Sequence, residues 1–200
     1  MSGAQRHEQL IEVAKGLFAE KGFAAASVEE VAHRGRVSKP VVYEHFGGKE
    51  GLYAEVVDRE MRELLGRITA ALSEAHATHP RELLAQAAVA FLGYIEENAG
   101  GFRVLVRDSP VAGSATYSSL LGEIAGRVED VLGREFDRLG MDGTLAPLYS
   151  QALVGMVALT GQWWLDAGGP DRDEVAAHLV NLAWHGLSGI DRAGEFLFGL

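Results

Sequence analysis

The sequence predicts an all-α protein: a small N-terminal three-helix domain, then a larger helical bundle, about nine helices in all. Three observations carry that expectation. Apolar residues recur at helical spacing nearly throughout, and no run alternates as a half-buried strand would. The first fifty residues hold two helix-start signals and two glycine stops in close order. Beyond them, glycine- and proline-rich breaks divide the chain into further helical segments.

Leu10, Ile11, Ala14, Leu17 and Phe18 form one stripe, so a first helix is expected over about residues 6–21, stopped by Gly22. Ser27 followed by Glu30 has the spacing of a capping box and starts a short helix over Val28 to Arg34. Gly35 permits a sharp turn and Val37 serves as a buried turn residue. Ser38 is a second N-cap, with Lys39 and Pro40 in the first two helical positions, where a missing amide proton costs nothing. The third helix therefore runs from Lys39 to Phe46, and Gly47-Gly48 ends it. A long fourth helix begins at Lys49, with Leu52, Val56, Met61, Leu64, Leu65, Ile68 and Leu72 inward. Domains are expected at 1–47 and 48–200. Further helices follow near 81–98, 102–107, 118–139, 145–166 and 172–189, separated by His79-Pro80, Gly100-Gly101, Ser109 to Ser114, Gly140 to Gly143 and Gly168-Gly169-Pro170.

Composition bounds the function. The 200 residues are 48% hydrophobic, which suits a globular core, and the absence of cysteine excludes a disulfide framework and thiolate chemistry. The opening MSGAQRHEQL lacks the apolar run of a secretory signal, so a cytoplasmic protein is expected. A net charge of -10 argues against indiscriminate nucleic-acid binding by the whole chain. Between Val31 and Lys49, however, Arg34, Arg36, Lys39 and Lys49 face only Glu44, a local charge of +3. The uncharged stretch Gly143 to Leu165 is long enough to span a bilayer, but its two Gln, two Thr, one Ser, Pro147 and three glycines, without a basic flank, read as a helix buried in a bundle or between subunits.

Two short helices joined by a tight turn, the second presenting polar groups from its first turns, have the layout of a helix-turn-helix. In that layout the second helix enters the major groove. Lys39 leads it and reaches a phosphate or a guanine edge, while Pro40 and Val41 offer apolar surface to a thymine methyl. Tyr43 and His45 lie beside the inward Val42, placed for phosphates, and Lys49 sits at the next helix start, whose free amides favour an anion. Val31, Val37, Val42 and Phe46 read as core.

The stretch Ser27 to Tyr53, SVEEVAHRGRVSKPVVYEHFGGKEGLY, resembles the DNA-binding region of the TetR family of bacterial transcriptional repressors. The shared run includes Gly22-Phe23, the capped second helix, the Val37-Ser38-Lys39 turn, Tyr43-x-His45-Phe46 and Lys49-Glu50-x-Leu52. The resemblance implies a homodimer on a double-stranded DNA operator, with its last two long helices forming a four-helix interface. It also implies repression relieved by a small effector that moves the fourth helix. On this basis Ser27, Arg36, Ser38, Lys39, Pro40, Val41, Tyr43, His45 and Lys49 are the expected DNA-binding residues. Arg36 departs from the pattern, which more usually has a small residue in that turn.

An effector pocket needs apolar walls with a few polar anchors. Phe91, Tyr94, Phe102, Tyr117, Met156, Trp163 and Trp164 are candidate walls for an apolar or aromatic effector, with Gln162 and Asn181 as anchors. Gly155 and Gly161 suggest close helix approach at a dimer seam, joined there by Leu159, Leu179, Leu182 and Gly186. His76 with His79, and His178 with His185, lack a third ligand, so no metal and no cofactor are expected. No phosphate-binding loop is present, and Gly186-x-Ser188-Gly189 falls at a helix end rather than on a nucleophile elbow, so no enzyme is expected. The alternative is an all-helical ligand- or protein-binding module that does not act on DNA; the local +3 favours DNA.

Overall fold

A computed structural model of the chain describes residues 2–73, 79–107 and 116–188; the expectations for His76, for the 109–114 break and for Gly189 fall outside them. The helices among the described residues are α1 (Gly3–Ala25), α2 (Val28–Gly35), α3 (Lys39–Phe46), α4 (Lys49–Ser73), α5 (Pro80–Glu97), α6 (Ala99–Val106), α7 (Tyr117–Leu139), α8 (Ala146–Ala167) and α9 (Arg172–Ser188), with a single 3-10 turn at Gly143–Leu145. The fold is all-α, as expected. α1 departs most from the sequence reading because a capping box starts it early: the Ser2 hydroxyl accepts from the Gln5 amide, and the Gln5 side chain accepts from the Ser2 amide. Gly22, at φ 77°, interrupts α1 where the stop was expected, and a short further turn carries it to Ala25.

Packing separates two compact units, Met1–Leu65 with Glu97–Leu120, and Gly66–Glu96 with Leu121–Leu200. A cut after residue 47 does not coincide with them. The physical reasons are that α4 runs unbroken from Lys49 to Ser73 and that α6, though far along the chain, packs against α1.

The first unit is centred on the predicted stripe of α1, all five members of which are buried, together with Val28 and Val31 of α2, Val42 of α3 and Leu52, Tyr53 and Val56 of α4. Tyr53 meets Phe18 and Phe23 edge-on, at centroid distances of 5.1 and 5.0 Å. Among the described residues one charged side chain is buried completely, that of Glu60. The Glu60 carboxylate lies 3.3 Å from the Lys15 ammonium and accepts a 2.5 Å hydrogen bond from the Asn98 amide, and Gly101 of α6 passes so close that a Cβ there would overlap it. Burial works against the charge on Lys15, but Glu12 and Glu60 outweigh it and hold the ammonium pKa above its ordinary value.

The second unit holds α5, α8, α9 and most of α7, with the last turns of α4. Gly161 was expected at a seam between subunits. Instead it lets α8 approach α5 of the same chain: a Cβ would fall 2.6 Å from a Phe91 ring carbon and 2.7 Å from the Ile95 side chain. Gly155 has nothing within 4 Å of that position. Among the described residues no helix is long and apolar enough to cross a membrane. α8 buries only one side, including Ser150, Val154, Ala158, Gly161 and Trp164.

The corner between α3 and α4 depends on Gly51, whose Cα passes so near the Phe46 carbonyl that a Cβ would collide with backbone rather than with a yielding side chain. Gly51→Ala is therefore expected to lower stability by about 1–3 kcal/mol, despite alanine's better helix propensity. Urea denaturation followed by circular dichroism measures this, and an unchanged midpoint would refute the constraint.

Candidate nucleic-acid interface

Local chemistry fixes the α2-turn-α3 unit. The Ser27 hydroxyl accepts from the Glu30 amide at 3.2 Å and caps α2. The return half of the expected capping box is not formed, because the Glu30 carboxylate is taken by Lys21 at 2.6 Å and Arg34 at 3.3 Å. α2 then closes in a Schellman arrangement: the Val37 amide donates to the Ala32 carbonyl at 2.9 Å, and the Arg36 amide donates to the His33 carbonyl at 3.2 Å.

That arrangement requires a left-handed residue at position 36, and Arg36 adopts φ 52° and ψ 45°. A side chain in this conformation costs about 1–2 kcal/mol relative to a right-handed one. The departure noticed in the sequence thus sits at the one point of the turn where glycine would be easiest. The backbone holds the Arg36 side chain out into solvent.

Ser38 occupies the N-cap position of α3 in extended backbone, but its hydroxyl makes no cap bond, and Pro40 lies in the first turn as expected. Val42 alone is fully buried on α3. Phe46, read as core, is only half-buried and stacks on His7 of α1 at 4.5 Å; His45 is half-buried with its ring 5.7 Å from the same His7. His7 was not anticipated, since a surface histidine eleven positions before Phe18 gives no pattern linking it to α3. Arg36, Ser38, Lys39, Pro40 and Tyr43 are exposed, Tyr43 at 46%, while Ser27 and Val41 are half-buried.

The local charge of +3 is largely neutralised in the fold. Arg34 pairs with Glu20 at 2.8 Å as well as with Glu30. Lys39 pairs with Glu29 of α2, and its ammonium stands 5.7 Å from the centre of the Tyr43 ring. The hydrogen bond from Lys39 holds the Glu29 carboxyl below the usual carboxylate range, and the same bond raises Lys39. Lys49 turns back to α1: its ammonium donates to the carbonyls of Phe23 at 2.9 Å, Ala26 at 3.0 Å and Ala24 at 3.5 Å, 4.3 Å from the centre of the Phe23 ring. Of the four cations counted in the sequence, Arg34 and Lys39 are ion-paired, Lys49 is held by backbone carbonyls, and Arg36 alone has neither kind of partner among the described residues. The neutralising carboxylates Glu20, Glu29 and Glu30 lie just outside the window in which the charge was counted.

The second unit contains an apolar cavity of about 70 Å³. Ile68 and Leu72 of α4, Leu84 and Phe91 of α5, Ile124 and Val128 of α7, Met156 of α8 and Leu179 of α9 are among its walls, and every lining side chain is apolar. Of the nine residues expected to bind an effector, only Phe91 and Met156 line it. Phe102 and Tyr117 belong to the other unit, where their rings meet edge-on at 5.8 Å. Tyr94 is fully buried with the Arg67 guanidinium 5.5 Å from its ring centre, and Trp164 is buried with its indole donating to the Pro170 carbonyl. Trp163 is 58% exposed, Gln162 is half-buried outside the lining, and Asn181 is exposed and accepts a hydrogen bond from Arg81 at 2.5 Å. The polar anchors are thus not in the cavity.

Of the expected dimer residues, Leu179 is a correction: it is buried and lines that cavity. Leu159 and Leu182 are 68% and 65% exposed, Gly186 is exposed and Gly155 half-exposed. Among the described residues no cluster of His, Asp or Glu could hold a metal ion.

A capped α2, a Schellman turn and an α3 that buries one residue and exposes its first turn define a helix-turn-helix DNA-binding protein. Residues 10–56 match the model of bacterial regulatory proteins of the tetR family, and residues 80–186 match that of the tetracyclin repressor-like C-terminal domain. The chain belongs to the TetR family and is a DNA-binding transcriptional regulator. It is 31% identical over 189 residues to the HTH-type transcriptional activator FasR of Mycolicibacterium smegmatis, covering 92% of this chain and 84% of that one. A TetR-like transcriptional regulator from Rhodococcus sp. RHA1 superposes with a TM-score of 0.75 at 25% identity, over 95% of this chain and all of that one. SmeT, solved as a complex with triclosan, shares the fold with a TM-score of 0.69 at 16% identity, over 98% of this chain and 96% of that one.

The carbonyl contacts of Lys49 tie the start of α4 to the end of α1. Lys49→Met, which keeps the apolar stem, is expected to lower stability by about 1.5–3 kcal/mol, the range for hydrogen bonds to a charged group. Thermal and urea unfolding measure the loss, and a variant as stable as the parent would show that water replaces the ammonium.

Proposed function

We propose that the protein acts as a homodimer that places α3 of each copy in successive major grooves of a palindromic operator, about 34 Å apart or somewhat more, and leaves it when a small apolar effector enters the second unit. The observation that carries this reading is the presentation of α3: Val42 alone is sunk into the domain, while Lys39, Pro40 and Tyr43 face outward beside Arg36. In functional terms residues 1–47 read DNA, and residues 48–200 bind the effector and the second copy. Lys39 and Val41 meet base edges, and Arg36, Tyr43 and His45 meet phosphates. Lys49 contributes a phosphate contact where the duplex competes successfully for its ammonium. The protein works by binding, in the cytoplasm, without turnover.

The dimer is supported by the outer face of α8. Leu148, Ala152, Leu159 and Trp163 are exposed along it at helical spacing, with Gly155 between them, and no charged residue interrupts the helix before Asp166. Leu182 of α9 is similarly bare. Side chains of this size left in water are the expected residue of an interface cut in half. The effector is supported by the hydrocarbon-walled cavity, and the SmeT–triclosan complex indicates that the fold admits a small aromatic molecule. Repression by occupying the operator is the primary reading. Activation is the second, because FasR is an activator.

Selection of binding sites from a random DNA pool tests the operator; a two-fold symmetric consensus supports the reading, and enrichment of no sequence overturns it. Arg36→Ala is expected to weaken binding to all duplexes about equally and to flatten the plot of log affinity against log salt by about 0.9 per copy. A slope that does not change would remove Arg36 from the interface. Leu159→Asp and Leu182→Asp are expected to give folded monomers with weak operator affinity in sedimentation and binding titrations; unaltered dimers would displace the seam from this face.

A further inference from the structure

The carboxylates beside the helix-turn-helix are arranged too regularly to be treated only as solvated surface. The Arg34 of α2 is held by Glu20 and Glu30, Lys21 by Glu30, and the Lys39 of α3 by Glu29. Glu29 is the least expected of these. It stands in the first turn of α2, ten positions before Lys39 in sequence, and reaches across the turn to the leading cation of the helix that enters the groove. Both side chains are exposed, so the pair is not needed to satisfy a buried charge. On an acidic protein a free cation at that position would be the stronger DNA ligand, yet here it is occupied by a carboxylate.

We infer that Glu29 is a specificity-determining residue: it competes with DNA for the Lys39 ammonium, so that Lys39 contributes to binding only where the sequence offers a better partner than the carboxylate. This rests on the reading of α3 as the helix that enters the major groove. On arbitrary DNA, Lys39 exchanges a carboxylate for a phosphate, two anions of similar strength in water, and Glu29 is left bare beside a negatively charged duplex. The exchange gains almost nothing. On the cognate site the same ammonium finds a guanine edge with two converging acceptors, which a point contact to carboxylate does not match. Glu29 thus subtracts from non-specific affinity more than from specific affinity, which is how discrimination between partners is raised by penalising the wrong one. Arg36, with no ion-pair partner among the described residues, makes the first sequence-independent contact, while Lys39 is withheld.

The test uses the full-length protein, a duplex of random sequence and the selected operator. Glu29→Gln keeps the size of the side chain and removes its charge at an exposed position. Each phosphate contact contributes about 0.9 to the salt slope, so a Lys39 released onto phosphate is expected to steepen the slope on random DNA by about 0.9 per copy and to raise affinity there about eightfold per copy at 0.1 M salt. Operator affinity is expected to rise less, so the ratio of operator to random binding falls. In a Lys39→Gln background, Glu29→Gln is expected to gain little, because the released group is gone. Unchanged affinity and slope on random DNA overturn the inference, and so does an equal gain in the Lys39→Gln background, which would make Glu29 a general repulsive charge. A parent protein that binds the operator and random DNA alike overturns instead the placement of α3 in the groove.

Discussion

What α3 presents to a duplex depends on a single buried contact. An eight-residue helix is far below the length at which helices persist alone in water, so α3 exists only because Val42 is packed into the domain and its ends are fixed from outside. Pro40 and the extended Ser38 fix the start. Gly47, in left-handed backbone, donates to the Tyr43 carbonyl at 2.8 Å and fixes the end. Beyond it, α4 can begin against the Phe46 carbonyl only because residue 51 has no side chain. The Lys49 ammonium then fastens that corner to the end of α1. Each device is weak alone, and together they allow the rest of α3 to face water.

The helices were legible because their signals are local. Caps, glycine stops and apolar stripes act over three or four residues, so α2 and α3 could be read almost to their ends from Ser27, Gly35, Ser38 and Gly47. The charge pattern was not legible in the same way. A window from Val31 to Lys49 holds four cations, but the carboxylates that meet two of them, Arg34 and Lys39, come from α1 and the first turn of α2, outside the window. Lys49 shows the same limit. As a surface lysine at a helix start it looked free, and the backbone of a helix twenty-three to twenty-six residues earlier proves to be its partner.

The second unit divides along a similar line. Large apolar residues in the right segment were good candidates for a pocket, yet the fold uses them in three ways: Phe91 and Met156 line the cavity, Tyr94 and Trp164 are plain core, and Trp163 points outward. Which side of α8 a residue takes is set by its phase, and α8 is apolar nearly all round, so its sequence carries little phase information. Gly155 and Gly161, six residues apart, illustrate this. One is open to solvent on its outer side, and the other is pressed against Phe91.

The internal pairing of charges around α2 and α3 also bears on how the molecule behaves in the absence of DNA. With a net charge of -10, every copy carries abundant acidic surface, and an unshielded cationic face would find that surface on its neighbours. Such a contact joins unlike patches head to tail and has no symmetry to close it, so it leads to open chains of molecules rather than to a defined dimer. Because Arg34 of α2 and Lys39 of α3 are already answered within their own subunit, leaving Arg36 as the one unpaired cation of the turn, concentrated solutions of the regulator are expected to remain discrete particles.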